Sequence, residues 1–180
     1  MFTGSPIGVI SGLTFVALLL GACVSDVRTR RIPNRIVAAL AIGGMLFSMM
    51  SFGASAGAVR GLLGLGVGLL IWLPFHIVRL LGAGDVKLFA ASSAWLGVSG
   101  ALEGALVAAL IGGALAIFWM VRARGVADSA RSVAIAIVAP STMMHNDAAS
   151  SSASVRLPYG VALAAGAAFV AWWPGVIFGS

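Results

Sequence analysis

Long apolar stretches separated by short polar ones run through almost the whole chain. A helix that spans a bilayer needs about 20 mostly apolar residues, and six stretches reach or approach that length. They cover roughly residues 7–24, 36–52, 61–78, 88–102, 104–121 and 159–178. The fourth is short, and residues 125–157 form a long polar segment. The pattern predicts an all-α, polytopic integral membrane protein with six transmembrane helices.

The composition supports the same fold class. Of the 180 residues, 61% are hydrophobic and 9% are charged, with a mean hydropathy of +1.09. Soluble domains are about 25% charged, so we expect one membrane-embedded domain over residues 1–180, with a cytoplasmic loop at about 122–157. The net charge of +6 does not indicate nucleic-acid binding, because the basic residues cluster beside the apolar stretches.

The basic residues also predict the orientation of the helices. Three alternate loops hold ten of the eleven: Arg28, Arg30, Arg31 and Arg35; Arg79 and Lys87; and Arg122, Arg124, Arg131 and Arg156. The loops on the other side hold Arg60 alone. Cytoplasmic loops are enriched in Lys and Arg. The three basic loops are therefore expected in the cytoplasm, and both termini outside.

Two of the five acidic residues, Asp26 and Asp85, border apolar stretches on the predicted cytoplasmic side. Carboxylates at a membrane boundary are functional candidates. Glycines 82 and 84 let another backbone approach Asp85 closely. We expect the other three acids to be solvated: Glu103 in an outer turn, and Asp128 and Asp147 in the long loop.

Two carboxylates at one depth are sufficient for aspartic-type peptide hydrolysis. One, ionised, takes a proton from water as the water attacks a peptide carbonyl, and the other, protonated, donates to the carbonyl oxygen. Held close together, such a pair shares one proton. The single Cys23 and the distant His76 and His145 offer no disulfide and no metal-ligand spacing, so no metal and no cofactor are expected.

Structural roles for the same residues stay open at this point. Asp26 could balance Arg28 and Arg30, and Asp85 could cap a helix. The chain could then be a non-enzymatic membrane subunit of a pilus or secretion assembly. A small proton-coupled transporter is a third hypothesis, although both carboxylates lie at one face and leave no ionisable path across the membrane.

Three segments resemble motifs of the type IV prepilin leader peptidases, a family of Gly-x-Gly-Asp membrane aspartic peptidases. Residues 26–34 are similar to an Asp followed by basic residues and Ile-Pro-Asn. Residues 82–88 are similar to Gly-x-Gly-Asp-x-Lys, and residues 157–162 to the Pro-Tyr-Gly-x-Ala segment that opens the last helix of the family. The resemblance covers about residues 10–178.

The resemblance implies that Asp26 and Asp85 form the catalytic pair. Site-shaping roles are implied for Pro33, Asn34, Gly82, Gly84, Lys87, Pro158, Tyr159 and Gly160. The implied activity is removal of the leader from a prepilin or pseudopilin at the cytoplasmic face of the bacterial inner membrane. With one cysteine and no additional N-terminal region, the chain looks like the short, peptidase-only form of the Flp/Tad pilus type.

Pairs of glycines four residues apart indicate close helix packing. They are Gly57 and Gly61, Gly64 and Gly68, and Gly100 and Gly104. Small residues at this spacing let membrane helices approach each other closely. Packing within one bundle is the favoured interpretation, and a homodimer is the alternative.

Overall fold

A computed structural model describes residues 6–29, 31–78, 80–124 and 159–173. The regular structure of these residues is entirely helical, which confirms the all-α prediction for this part of the chain. The helices are α1 (Pro6–Thr29), α2 (Asn34–Phe52), α3 (Ala54–Ile77), α4 (Ala83–Arg124) and α5 (Tyr159–Trp172).

Four of these helices contain stretches long and apolar enough to cross a membrane. The stretches are Gly8–Thr29, Asn34–Phe52, Ala54–Ile77 and Ala83–Phe118. Large apolar side chains such as Ile10, Met50 and Leu110 are exposed on the helices, where a bilayer rather than water suits them. The chain is a multi-pass membrane protein, while the number of six spans and their orientation stay predictions.

The turn predicted near Glu103 is wrong, because the helical backbone of α4 is interrupted at Gly97 instead. Gly97 has φ 75° and ψ −170°, a conformation that residues with a side chain rarely adopt. A Cβ added to Gly104 would stand 3.5 Å from the Phe89 ring, so residues 98–112 fold back along residues 83–96. Glu103 consequently lies within the helix and is only 3% exposed, not solvated as predicted.

The connection between α2 and α3 is shorter than the sequence indicated. Gly53 alone separates the two helices, with φ 88°. Since α3 begins at Ala54, Arg60 lies inside the second turn of this helix and is half-buried. The prediction that Arg60 belongs to an outer loop is therefore wrong.

Arg60 and Ser48 satisfy the backbone carbonyls that the interruption in α4 leaves without helical partners. The Arg60 guanidinium donates to the carbonyls of Trp95 at 3.2 Å and Leu96 at 2.7 Å. The Ser48 hydroxyl donates to the carbonyl of Ala94 at 2.9 Å. Helix ends need such partners when they are buried, so side chains from α2 and α3 complete the end of the first part of α4.

The first part of α4, residues 83–96, is the centre of the bundle. Residues 88–97 are all buried. The ring centroid of Trp95 lies 5.3 Å from that of Phe15 in α1 and 5.4 Å from that of Phe47 in α2. Its indole N–H donates to the carbonyl of Leu40 at 2.7 Å. Alanines of α5 complete this core. The helix that carries Asp85 is thus fixed by neighbours on several sides.

The glycines of α3 pack against other helices of the same bundle. Gly57 contacts the backbone of Ser48 in α2, and Gly64 and Gly68 contact Ser93 in α4. This confirms packing within the bundle as the role of these glycines, whereas a homodimer stays a prediction.

Contacts divide the chain into two compact units. The described residues 6–112 and 159–173 belong to one unit, and the helical residues 113–124 belong to the other. The cytoplasmic loop predicted at about 122–157, with its Ala/Ser-rich stretch at 146–154, lies outside the described residues from residue 125 onwards.

Candidate active site

Asp26 lies inside α1, not after it as predicted. The helix continues to Thr29, so Asp26 occupies its last turn, and its side chain is half-buried. One carboxylate oxygen stands 2.8 Å from the point that a Cβ on Gly160 would occupy. Asp26 therefore faces the start of α5, about 130 residues further along the chain.

The connection after α1 is held by hydroxyl groups next to Asp26. The Ser25 hydroxyl donates to the carbonyl of Arg31 at 2.9 Å. The Thr29 hydroxyl donates to the carbonyl of Ser25 at 2.8 Å and lies 3.2 Å from the Arg31 oxygen. The next residue, Ile32, lies against Gly84, where an added Cβ would stand 3.4 Å from the Ile32 Cβ. The first motif thus contacts the second directly.

Asp85 lies in the first turn of α4. The backbone N–H groups of Asp85 and Val86 donate to the carbonyl of Gly82 at 3.1 and 3.3 Å, and the Asp85 carboxylate lies beside the Gly82 backbone. An acid in the first turn that reaches back towards the start of the helix is one half of a capping box. The positive end of the helix dipole also favours a carboxylate here.

The two carboxylates meet at Gly160. A Cβ on this buried glycine would stand 2.8 Å from Oδ2 of Asp26 and 3.1 Å from Oδ1 of Asp85. These two oxygens therefore lie no further apart than the sum of the two distances, about 6 Å. The carboxylates are close enough to interact electrostatically. Because Gly160 has no side chain, both carboxylates can approach its backbone this closely.

The remaining predicted site residues are described by their positions at the helix ends and by their exposure. Pro33 precedes α2 in an extended conformation, Asn34 begins that helix, and both are exposed. Lys87 is exposed on the first turn of α4. Tyr159 opens α5 directly before Gly160, and Pro158 lies outside the described residues. The structure thus brings together Asp26, Asp85, Gly82, Gly84 and Gly160.

The contacts that two further residues make near the site were not predicted from the sequence. Ile32 packs on Gly84, and its place directly before Pro33 was the available signal. For His76, near the inner end of the third apolar stretch, the sequence favours a packed or interfacial residue, with tuning of or pairing with a carboxylate as the alternative. In the structure, its Nδ1 donates to the carbonyl of Leu81 at 3.0 Å. Its position six residues before Gly82 was the corresponding signal.

The arrangement suits general acid–base chemistry on a water molecule. Two carboxylates about 3 Å from one point can share a proton, so that one accepts a proton from water while the other donates to a substrate oxygen. Within residues 8–29, 31–78, 80–118 and 160–173, no three His, Cys, Asp or Glu side chains form a group that could hold a metal ion.

An apolar groove of about 960 Å³ lies elsewhere, beside the interruption in α4. Its lining residues are Ser55, Ala56, Val59, Arg60, Leu63, Val98, Ser99 and Leu102. Neither Asp26 nor Asp85 lines this groove, so its shape contributes nothing to the carboxylate pair.

Comparison with known proteins gives three similar relatives, each named prepilin leader peptidase/N-methyltransferase. The protein of Dickeya chrysanthemi is 31% identical over 124 residues, which is 63% of this chain and 42% of the relative. That of Klebsiella pneumoniae is 33% identical over 108 residues, 54% of this chain and 44% of the relative. That of Pectobacterium carotovorum subsp. carotovorum is 34% identical over 114 residues, which is 59% of this chain and 40% of the relative.

The chain spans about two fifths of the length of these curated relatives. No solved structure matches it significantly. The sequence model of the Type IV leader peptidase family matches residues 13–117, which is more than half of the chain and includes both Asp26 and Asp85. The chain belongs to the type IV leader peptidase family.

Proposed function

We propose that this protein is a membrane aspartic endopeptidase that removes the leader peptide from type IV, Flp-like prepilins at the cytoplasmic face of the bacterial inner membrane. The observation that carries the proposal is the meeting of Asp26 and Asp85 at Gly160. Carboxylates of two different helices reach one point that no side chain fills. Family membership and the names of the similar relatives support a prepilin as the substrate.

In this mechanism, the two carboxylates activate a water molecule between them. The ionised carboxylate accepts a proton from the water as its oxygen attacks the scissile carbonyl carbon. The protonated carboxylate donates to the carbonyl oxygen, which gives a tetrahedral intermediate. The newly formed carboxylic acid then protonates the leaving amine, while the other carboxylate takes back a proton from a hydroxyl of the intermediate. The C–N bond breaks, and the pair returns to its starting protonation. The protonation steps belong to the pair as a unit.

The position of the pair suits a substrate with a polar leader followed by an apolar helix. Asp26 lies at the end of α1, and Asp85 at the beginning of α4. Both are therefore near the ends of long apolar helices, where a membrane-embedded substrate leaves the bilayer. A peptide bond inside a regular helix has a hydrogen-bonded carbonyl, whereas a bond at the leader boundary can be unwound.

The test is co-expression with a tagged Flp-type prepilin, with leader removal measured by gel shift and N-terminal sequencing. Wild type is expected to cleave, and Asp26→Asn and Asp85→Asn are each expected to lose cleavage by at least about 1,000-fold, because each carboxylate performs a proton transfer. Asp128→Asn and Asp147→Asn are the matched controls, since they remove the same charge from the polar segment, and are expected to cleave like wild type.

Membrane levels of all variants are matched by immunoblot before rates are compared. Cleavage that persists in both Asp26→Asn and Asp85→Asn would show that the aspartates are structural and would overturn the mechanism. An intact prepilin with wild type, across several Flp-like substrates, would instead favour the assembly-subunit or transporter hypothesis.

A further inference from the structure

The short connection between α3 and α4 is fixed by hydrogen bonds within it. α3 ends at Ile77, and the N–H groups of Leu80 and Leu81 donate to the carbonyl of Phe75 at 2.9 and 3.2 Å. The bond from Leu80 spans six residues, as in the closure that ends many helices. The chain therefore turns sharply before it reaches Gly82.

His76 adds a side-chain hydrogen bond to this turn. Its Nδ1 lies 3.0 Å from the carbonyl oxygen of Leu81, and its side chain is half-buried. A carbonyl only accepts hydrogen bonds, so Nδ1 carries the proton and donates it. The bond therefore fixes which nitrogen of a neutral His76 ring is protonated.

The carbonyl that His76 holds belongs to the same peptide group as the N–H of Gly82. A peptide group is planar, so a bond that fixes the Leu81 oxygen also fixes the direction of the Gly82 N–H. Gly82 in turn contacts Asp85 on two sides. The Asp85 Oδ2 stands 3.2 Å from the point that a Cβ on Gly82 would occupy, so the carboxylate lies beside the Gly82 backbone and within its electrostatic reach. The Asp85 N–H also donates at 3.1 Å to the Gly82 carbonyl, which belongs to the next peptide group.

We propose that His76 is a positioning residue for Asp85, acting through the Leu81–Gly82 peptide group. The imidazole touches neither the carboxylate nor the substrate in this role. It holds the peptide plane against which the Asp85 side chain rests, and hydrogen bonds in such a chain polarise and strengthen one another. The assignment deepens the peptidase function proposed above and rests on it.

The test compares His76→Leu, which has no donor, with His76→Asn, whose amide nitrogen lies near the position of Nδ1. Purified variants are reconstituted with the tagged prepilin, and kcat and KM are measured separately. His76→Leu is expected to lower kcat about 10- to 100-fold with KM within about two-fold, because a misplaced carboxylate impairs the chemical step. His76→Asn is expected to recover most of the lost kcat.

Thr14→Val is the matched control, because Thr14 makes a side-chain bond to the carbonyl of Ile10 at 2.9 Å on an exposed face of α1. This substitution also removes a side-chain hydrogen bond to a backbone carbonyl, but at a position in α1 far from Asp26. The values of kcat and KM are therefore expected to equal those of wild type. If His76→Leu does not accumulate, His76→Ala replaces it in the comparison with His76→Asn.

Carbodiimide labelling of Asp85, read by mass spectrometry, provides a measurement that does not depend on the substrate. Labelling is expected to be several-fold faster in His76→Leu than in wild type, and to return towards wild type in His76→Asn. A His76→Leu variant with normal kcat and normal labelling overturns the proposal. So does a His76→Asn variant that is no better than His76→Leu.

The wild-type and Asp85→Asn arms of the cleavage assay decide the proposed function independently of His76. If wild type does not cleave, the peptidase function fails, and the labelling result still decides whether His76 positions Asp85.

Discussion

Gly160 is the residue at which the geometry of the candidate site is set. Its missing side chain lets one carboxylate from α1 and one from α4 approach its backbone closely. Two carboxylates held this near to each other share a proton rather than both ionise, and the helices that carry them set their separation. The neighbouring residue of the motif, Tyr159, begins the helix that brings Gly160 to this point.

We predict that Gly160→Ala lowers the rate of prepilin cleavage by at least about 10-fold, because the new methyl group would lie within 3.1 Å of both carboxylates and displace at least one of them. The rate is measured in membranes with matched protein levels. Gly66→Ala is the control, since an added Cβ there meets no heavy atom within 4 Å. Equal rates for both variants and wild type would contradict the view that the missing side chain of Gly160 is needed for the placement of the two carboxylates.

At the scale of single residues, the sequence was sufficient to predict site residues that belong to a recognisable motif. It was not sufficient for residues whose roles depend on tertiary contacts. Asp26 and Asp85 stand out by their position at the ends of apolar stretches, and Gly160 by the resemblance of residues 157–162 to a family motif. Glu103 and Arg60 were placed in outer loops because a charge within an apolar stretch is costly. Contacts with other helices, which no local pattern reveals, account for the partners of Arg60.

Two interruptions of helical backbone determine how the elements are arranged. Gly53 separates α2 from α3 with φ 88°, and Gly97 divides α4 with φ 75°. Both have extended ψ values, 158° and −170°, in a region that is essentially restricted to glycine. They differ in their surroundings, because a Cβ on Gly97 would stand 2.8 Å from the Arg60 guanidinium carbon while one on Gly53 meets nothing within 4 Å.

We predict that Gly97→Ala destabilises the fold more than Gly53→Ala does. Gly53→Ala is expected to lower the free energy of unfolding by about 1–3 kcal/mol through backbone strain alone. Gly97→Ala adds about 1–3 kcal/mol because Arg60 must move from the carbonyls of Trp95 and Leu96. The measurement is SDS titration of purified protein in mixed micelles. A larger loss for Gly53→Ala would contradict this explanation.

Helix boundaries were the least predictable elements, for a physical reason. Hydropathy reports where the chain is apolar, and both Gly53 and Gly97 lie inside or beside apolar stretches. Reversal of direction at Gly97 depends on a positive φ and on capping by Ser48 and Arg60. Polar residues near Glu103 were therefore mistaken for the turn, six residues too far along the chain.

For the whole molecule, hydropathy was sufficient to predict a helical membrane protein, and three separate motifs were sufficient to predict its family. The orientation of the helices follows from the basic residues of the loops, and two of these, Arg131 and Arg156, lie outside the described residues. The orientation predicted from the basic residues therefore needs a direct measurement.

We predict that the connection between α2 and α3 faces outwards and that the polar segment 125–157 faces the cytoplasm. Single cysteines are introduced as Ser55→Cys and Ser151→Cys in a Cys23→Ser background. In intact spheroplasts, an impermeant maleimide is expected to label Ser55→Cys at least about 10-fold faster than Ser151→Cys, because the bilayer excludes the charged reagent.

Permeabilised spheroplasts and the Cys23→Ser parent are the controls, the first to show that both cysteines can react and the second to give the background. Labelling of Ser151→Cys but not Ser55→Cys before permeabilisation would reverse the orientation. It would also place the candidate active site on the outer face.

The position of Gly160 in the chain has a consequence for biosynthesis. Helices leave the ribosome in the order of the sequence. The helices that carry Asp26 and Asp85 therefore enter the membrane before residue 160 has been added to the chain. During that interval α5 does not yet pack against the two carboxylates. The two carboxylates can therefore take up the arrangement seen in the folded protein only after translation has passed residue 160.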